Sequence, residues 1–168
     1  MPSQRIRLTP DEAWAFVERA HTGILTTLRR SGHPVTLPVW FVPLDRTVCF
    51  TTPSGSAKAA RARHDPRASF LVESGDAWTD LAAVHLTGHL SIVTDDRTIA
   101  LVGELFDTKY AAFRVPDHRM PAAARAAYHD RVTLRLVPDD RILSWDNSRI
   151  RLLDEHPLSG PGRPRAHG

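Results

Sequence analysis

Residues 24–52 read ILTTLRRSGHPVTLPVWFVPLDRTVCFTT, and the rhythm of this stretch decides the fold. Ile24 to Arg29 has the β-branched, alternating character of a strand. Arg30-Ser31-Gly32-His33 supplies turn residues, and Pro34 to Val42 returns as the hairpin partner. A second turn at Pro43 to Arg46 leads into a third strand, Thr47 to Thr52. Pro34 and Pro38 have no N–H to give a central ladder, so strand 34–42 belongs at an edge, a bulge or a ligand-facing opening.

Working outward, Thr9-Pro10-Asp11-Glu12 carries a capping box with Pro at N1, and Ala13, Phe16, Val17 and Ala20 follow helical spacing. His21-Thr22-Gly23 ends that helix. Downstream, Pro53-Ser54-Gly55 breaks the third strand, Ser56 to His64 is a short helix, and Asp65-Pro66 stops it. Ala68 to Glu73 and the long run Ala82 to Val93 are strands. Asp95-Asp96 caps a helix reaching about Phe113, Pro121 to Asp130 is a further helical piece, and Val132 to Val137 and Ile142 to Trp145 are two closing strands. Hairpins dominate and helices are few, which predicts a mostly β, antiparallel barrel with peripheral helices rather than a doubly wound parallel sheet.

The chain has 168 residues, 42% of them apolar, enough for one domain with a proper core. Residues 1–155 form that domain, and residues 156–168 (HPLSGPGRPRAHG), rich in proline and glycine, are expected to be a disordered tail. One cysteine excludes a disulfide framework and predicts a cytoplasmic setting. The pI of about 9.6 suggests nucleic acid as a partner. Against that, the tail holds two of the 22 basic residues and none of the 19 acidic ones, which leaves 20 against 19 in the body. No nucleic-acid partner is expected of a body so nearly neutral. No apolar run reaches the roughly 18 residues of a membrane span. Only Lys58 and Lys109 are lysines, against twenty arginines, so each lysine stands out.

Several chemistries are missing. There is no GxGxxG, no GxxxxGK[ST] and no GxSxG. Cys49, between Val48 and Phe50, reads as a small buried apolar residue. His85 and His89 are four apart, but on a strand that separation is roughly 13 Å, too far to share an ion. No metal is expected. Asp95-Asp96 and Asp139-Asp140 read as a helix cap and a turn.

What remains is Thr51-Thr52-Pro53-Ser54-Gly55-Ser56-Ala57-Lys58, followed by Arg61 and Arg63. A strand end, a hydroxyl-rich turn and a helix N-terminus together favour a bound anion, and Lys58 adds a compact charge one turn in. The plainer alternative makes Ser56 an ordinary N-cap and Lys58 a solvated charge. Trp40 and Phe41 read, from pattern alone, as core or subunit-interface residues rather than stacking partners.

Gly32-His33-Pro34, Pro38-Val39-Trp40-Phe41, Thr51-Thr52, Lys58, Asp65-Pro66-Arg67, Leu81, Val84, Gly88 and Ser144-Trp145-Asp146 occur in an order that resembles the pyridoxamine 5′-phosphate oxidase-like split-barrel family. The likeness covers roughly residues 10–150 and is greatest to the branch that uses flavin mononucleotide (FMN) or the deazaflavin coenzyme F420. It implies a six-stranded split β-barrel and a homodimer with the cofactor between subunits. The phosphate would be held by Lys58, Thr51, Thr52 and Ser56, and the ring would rest along Pro38, Val39 and Trp40. The family's K-x-R-N-L reads Lys58-Ala59-Ala60-Arg61-Ala62 here, so either Arg61 supplies the phosphate fork from a shifted place or the grip is weaker. The C-terminal substrate motif of true pyridoxamine phosphate oxidases has no counterpart.

The resemblance therefore implies an oxidoreductase that moves a hydride between F420 or FMN and a small organic substrate, with a slight lean to F420 from the Ser-Trp-Asp ending. No catalytic side chain is assigned. The alternative is a non-catalytic flavin, deazaflavin or haem carrier of the same fold.

Overall fold

The structure, a computed structural model, describes residues 6–153. The expected tail at 156–168 lies outside the described residues. Helix α1 (Pro10–Arg19) starts from Thr9, whose side chain accepts from the Glu12 amide while the Glu12 carboxylate accepts from the Thr9 amide at 2.7 Å. Seven strands follow: β1 (Gly23–Leu28), β2 (Pro34–Val39), β3 (Val42–Leu44), β4 (Thr47–Pro53), β5 (Arg67–Ser74), β6 (Ala82–Ile92) and β7 (Arg131–Asp146). Helix α2 (Ala57–His64) joins β4 to β5, and α3 (Asp96–Tyr110) and α4 (Ala122–His129) lie between β6 and β7.

All strand pairs are antiparallel, in the order β2-β1-β5-β6-β7-β4-β3. β2 and β3 are consecutive in the chain, separated only by Trp40 and Phe41, yet they occupy opposite edges of the sheet. Three residue steps span at most about 11 Å. The sheet must therefore curl until its two edges nearly meet, and Trp40-Phe41 bridges the gap. This is a split barrel, and the split lies where the prolines of β2 placed an opening.

Two strand readings change. The stretch 34–42, expected as one strand, divides into β2 and β3 because the chain leaves one edge and joins the other. The two closing strands expected at 132–137 and 142–145 form one strand, β7, whose Asp139-Asp140 is a bulge and not a turn. There the pairing shifts between Leu86↔Ile142 and Gly88↔Pro138, and Thr87 Oγ1 donates to Asp139 at 2.7 Å. Gly88 permits the shift: a Cβ on it would sit 2.2 Å from the Val137 carbonyl oxygen. The sheet thus has seven strands where six were expected, β3 being a three-residue edge.

The barrel interior is filled by Leu25, Phe41, Phe50, Phe70, Leu86, Leu134 and Leu136, each nearly inaccessible to solvent. Phe70 packs edge-on to Phe41 and Phe50, with ring centroids 4.7 and 5.6 Å apart. Helix α1 adds Trp14 and Val17 to that core, while α3 packs Val102, Phe106 and Tyr110 on Val42 and Cys49. The helices are peripheral, as expected. Among the described residues no helix is long and apolar enough to cross a membrane.

Candidate functional site

The turn after β4 is built by its own polar groups. Ser56 caps α2 by accepting from the Ala59 amide at 3.1 Å, and its hydroxyl meets the Thr52 hydroxyl at 3.0 Å. The Ser56 amide donates to the Pro53 carbonyl at 3.0 Å, closing the turn. The Ser54 amide donates to the Asp130 carbonyl at 2.9 Å, and its hydroxyl donates to the Asp130 carboxylate. The turn is therefore tied to the start of β7, where Pro53 lies opposite Arg131.

Helix α2 carries Lys58 half-buried toward the split. Burial lowers the Lys58 pKa below the usual lysine range, and the charge of Arg61 lowers it further. Both causes favour an arriving anion, which would restore a partner to the ammonium. Pro38, Val39, Trp40, Thr51 and Lys58 all line one pocket of about 420 Å³ at the split. Five of the eight residues expected at the site thus come together. Thr52, 5% exposed, and Ser56 stand behind that surface as supports of the turn. Arg61 does not line the pocket; its Nε donates to Thr27 Oγ1 on β1 at 2.7 Å.

The rest of the lining comes from Phe106 on α3 and from the stretch that runs on through α4 to the first residue of β7, and was not anticipated. Phe106, Phe113, Arg114, Val115, Asp117, Met120, Tyr128 and Arg131 complete the lining. The one available signal was composition: Val115 and Met120 are apolar residues in the short stretch between the two expected helices. Trp40, 39% exposed, stacks on Tyr110 with centroids 4.4 Å apart and planes within 5°. Its neighbour Phe41 faces the core. The Tyr110 hydroxyl accepts from the Phe41 amide at 2.9 Å and lies 2.8 Å from the His21 and Phe41 carbonyls, either of which it can donate to. The His21 ring meets Phe113 edge-on at 4.4 Å. Trp40 is thereby held as a flat wall of the pocket and not in the core.

The donor set fits a flat, anionic cofactor. Three cations (Lys58, Arg114 and Arg131) and one carboxylate (Asp117) share the pocket with a hydroxyl and an apolar surface. A larger cleft of about 690 Å³, beside Trp14 and Asp139 to Arg141, contains none of the expected residues.

Lys109, the other lysine, takes no part. Its Nζ is buried, has no hydrogen-bond partner among the described residues, and lies 3.9 Å from the centre of the Phe41 ring. Burial lowers its pKa to about 8. Burial likewise pushes the Cys49 thiol up, in keeping with an inert core residue. His89 lies 3.8 Å from Asp139, and among the described residues no group of three or more His, Cys, Asp or Glu is placed to hold a metal ion.

Comparison with solved structures gives the same architecture. A conserved hypothetical protein from Mycobacterium tuberculosis is 27% identical, with a TM-score of 0.73 over 97% of this chain and 94% of that one. An FAD-binding protein from Mycobacterium smegmatis is 19% identical, with a TM-score of 0.60 over 82% and 95%. A heme-binding protein from the same organism is 21% identical, with a TM-score of 0.61 over 89% of this chain and 60% of that one. No curated protein matches the chain. The sequence pattern described as pyridoxamine 5′-phosphate oxidase matches residues 9–140, in keeping with the split barrel, and the chain belongs to that family.

Proposed function

We propose that this protein is an oxidoreductase whose pocket at the barrel split holds coenzyme F420 or FMN and presents it to a small organic substrate. One observation carries the reading. Thr51, near the end of β4, and Lys58, in the first turn of α2, share a single pocket with Pro38, Val39 and Trp40 from the sheet edge. A phosphate and a flat ring need these two surfaces at once. The family and a flavin-binding structural neighbour support a flavin-type ring without choosing between the two cofactors.

When bound, such a ring supplies hydride transfer, which no side chain of this pocket provides. The chain's own contribution is placement. Lys58 neutralises phosphate charge and the Thr51 hydroxyl can donate to it. Pro38, lacking an N–H, and Val39 offer a smooth edge for the ring. Trp40, fixed by Tyr110, excludes water from one side. Trp40 and Phe113, 39% and 59% exposed, leave the pocket mouth apolar. That supports a homodimer in which a second copy closes the mouth, and the single cysteine suits a cytoplasmic setting.

A second reading is a carrier that binds without turnover. It is favoured by a structural neighbour that binds heme. Steady-state reduction of a dye acceptor by the loaded protein separates the two. Turnover supports the oxidoreductase, and micromolar binding without turnover supports the carrier.

A further inference from the structure

We infer that Arg131 is the second cation of the phosphate grip and the residue that makes the pocket prefer a phosphorylated ring to its phosphate-free form; the inference rests on the cofactor reading above. The terminal phosphate of FMN carries up to two charges, more than Lys58 alone neutralises, and for the singly charged phosphodiester of F420 as for FMN a guanidinium offers a two-pronged donor that matches the phosphate oxygens. Elimination among the nearby arginines leaves one. Arg61 spends its Nε on Thr27, and neither it nor Arg63, which donates to the Ser54 carbonyl at 3.1 Å, lines the pocket. Arg114 lines the pocket, but its Nη1 is paired with Asp107.

Arg131 lines the pocket with Lys58 and is held in place from three directions. Its backbone lies opposite Pro53 in the β4–β7 pair, directly beside the turn that leads into α2 and Lys58. The preceding residue, Asp130, is bonded to both the amide and the hydroxyl of Ser54. Its Nε donates to the Tyr128 carbonyl at 2.7 Å, and its guanidinium carbon lies 4.8 Å from the centre of the Tyr128 ring. These contacts occupy Nε and one face, and leave both Nη groups without a partner among the described residues. The fork is thus oriented before any ligand arrives, so little side-chain freedom is lost on binding.

The test titrates the wild type, Arg131→Gln, Arg131→Lys and Arg61→Gln with FMN and riboflavin, which differ only in the phosphate, and with F420, following fluorescence. Melting temperatures confirm that each variant is folded. Arg131→Gln should weaken the phosphorylated ligand by about 10- to 100-fold and the phosphate-free one by less than about twofold. Arg131→Lys should recover part of the loss, and Arg61→Gln should stay within about threefold of wild type. If the wild type prefers the phosphorylated ligand and Arg131→Gln binds it as tightly, the inference fails while the cofactor reading stands. Equal losses for both ligands would make Arg131 a wall residue and also overturn the inference. A wild type that binds FMN and riboflavin equally overturns the inference and leaves the cofactor reading standing, whereas a wild type that binds none of these ligands overturns both.

Discussion

The indole of Trp40 lies flat on the phenol ring of Tyr110, 4.4 Å between centroids, and the Tyr110 hydroxyl is bonded to the backbone of Phe41, the residue next to Trp40. One side chain thus fixes both residues that bridge the split of the barrel. β2 and β3 are held at opposite edges of the sheet by the same contact that sets the wall of the pocket.

Tyr110→Phe keeps the ring stack and removes the hydroxyl. The buried Phe41 amide then has no partner, which should destabilise the fold by about 1–3 kcal/mol. Urea unfolding checks this, and an unchanged midpoint would show that the hydroxyl does not hold the split.

Lys109 should give the protein an unusual pH dependence. Its pKa lies at about 8 when folded against an ordinary 10.5, so between those values the unfolded chain binds more protons than the folded one. Its contribution to stability therefore rises as pH increases from about 8 to 10.5, and below about 8 its burial cost is fully felt. Lys109→Met should raise the urea midpoint at pH 7, and its advantage should shrink by pH 10. A constant difference between variant and wild type across that range would contradict the buried ammonium.

The hairpin between β3 and β4 stores backbone strain. Asp45 and Arg46 both adopt the left-handed region, with φ of 48° and 56°, as a two-residue hairpin of this hand requires. Replacing them together by Asn-Gly should stabilise the protein by about 1–2 kcal/mol, since glycine in particular is free of the steric cost. The exposed Arg46–Asp11 pair lost in the exchange is worth little. A thermal midpoint that stays or falls would contradict the assignment.

Local chemistry was legible in the sequence where it acts locally. Thr9, Ser56 and Asp95 cap helices as their positions predict, and the strand–turn–helix around Lys58 forms as read. What escaped depends on partners far along the chain. Division of 34–42 into two strands reflects which edge each half joins. Continuity of β7 depends on Gly88 letting Val137 approach across the sheet. Arg131 reaches Lys58's pocket only through strand pairing between β4 and β7, and Arg61 turns to Thr27 because α2 packs on β1. None of these contacts has a signature within a window of ten residues.

Titration of the folded protein with FMN and F420, with Lys58→Ala alongside, tests the central claim most directly. A pocket that grips phosphate through Lys58 should bind one of the two at micromolar concentration, and lose roughly 1–3 kcal/mol of that affinity in the variant. Binding of neither cofactor, or an identical dissociation constant in Lys58→Ala, would contradict it.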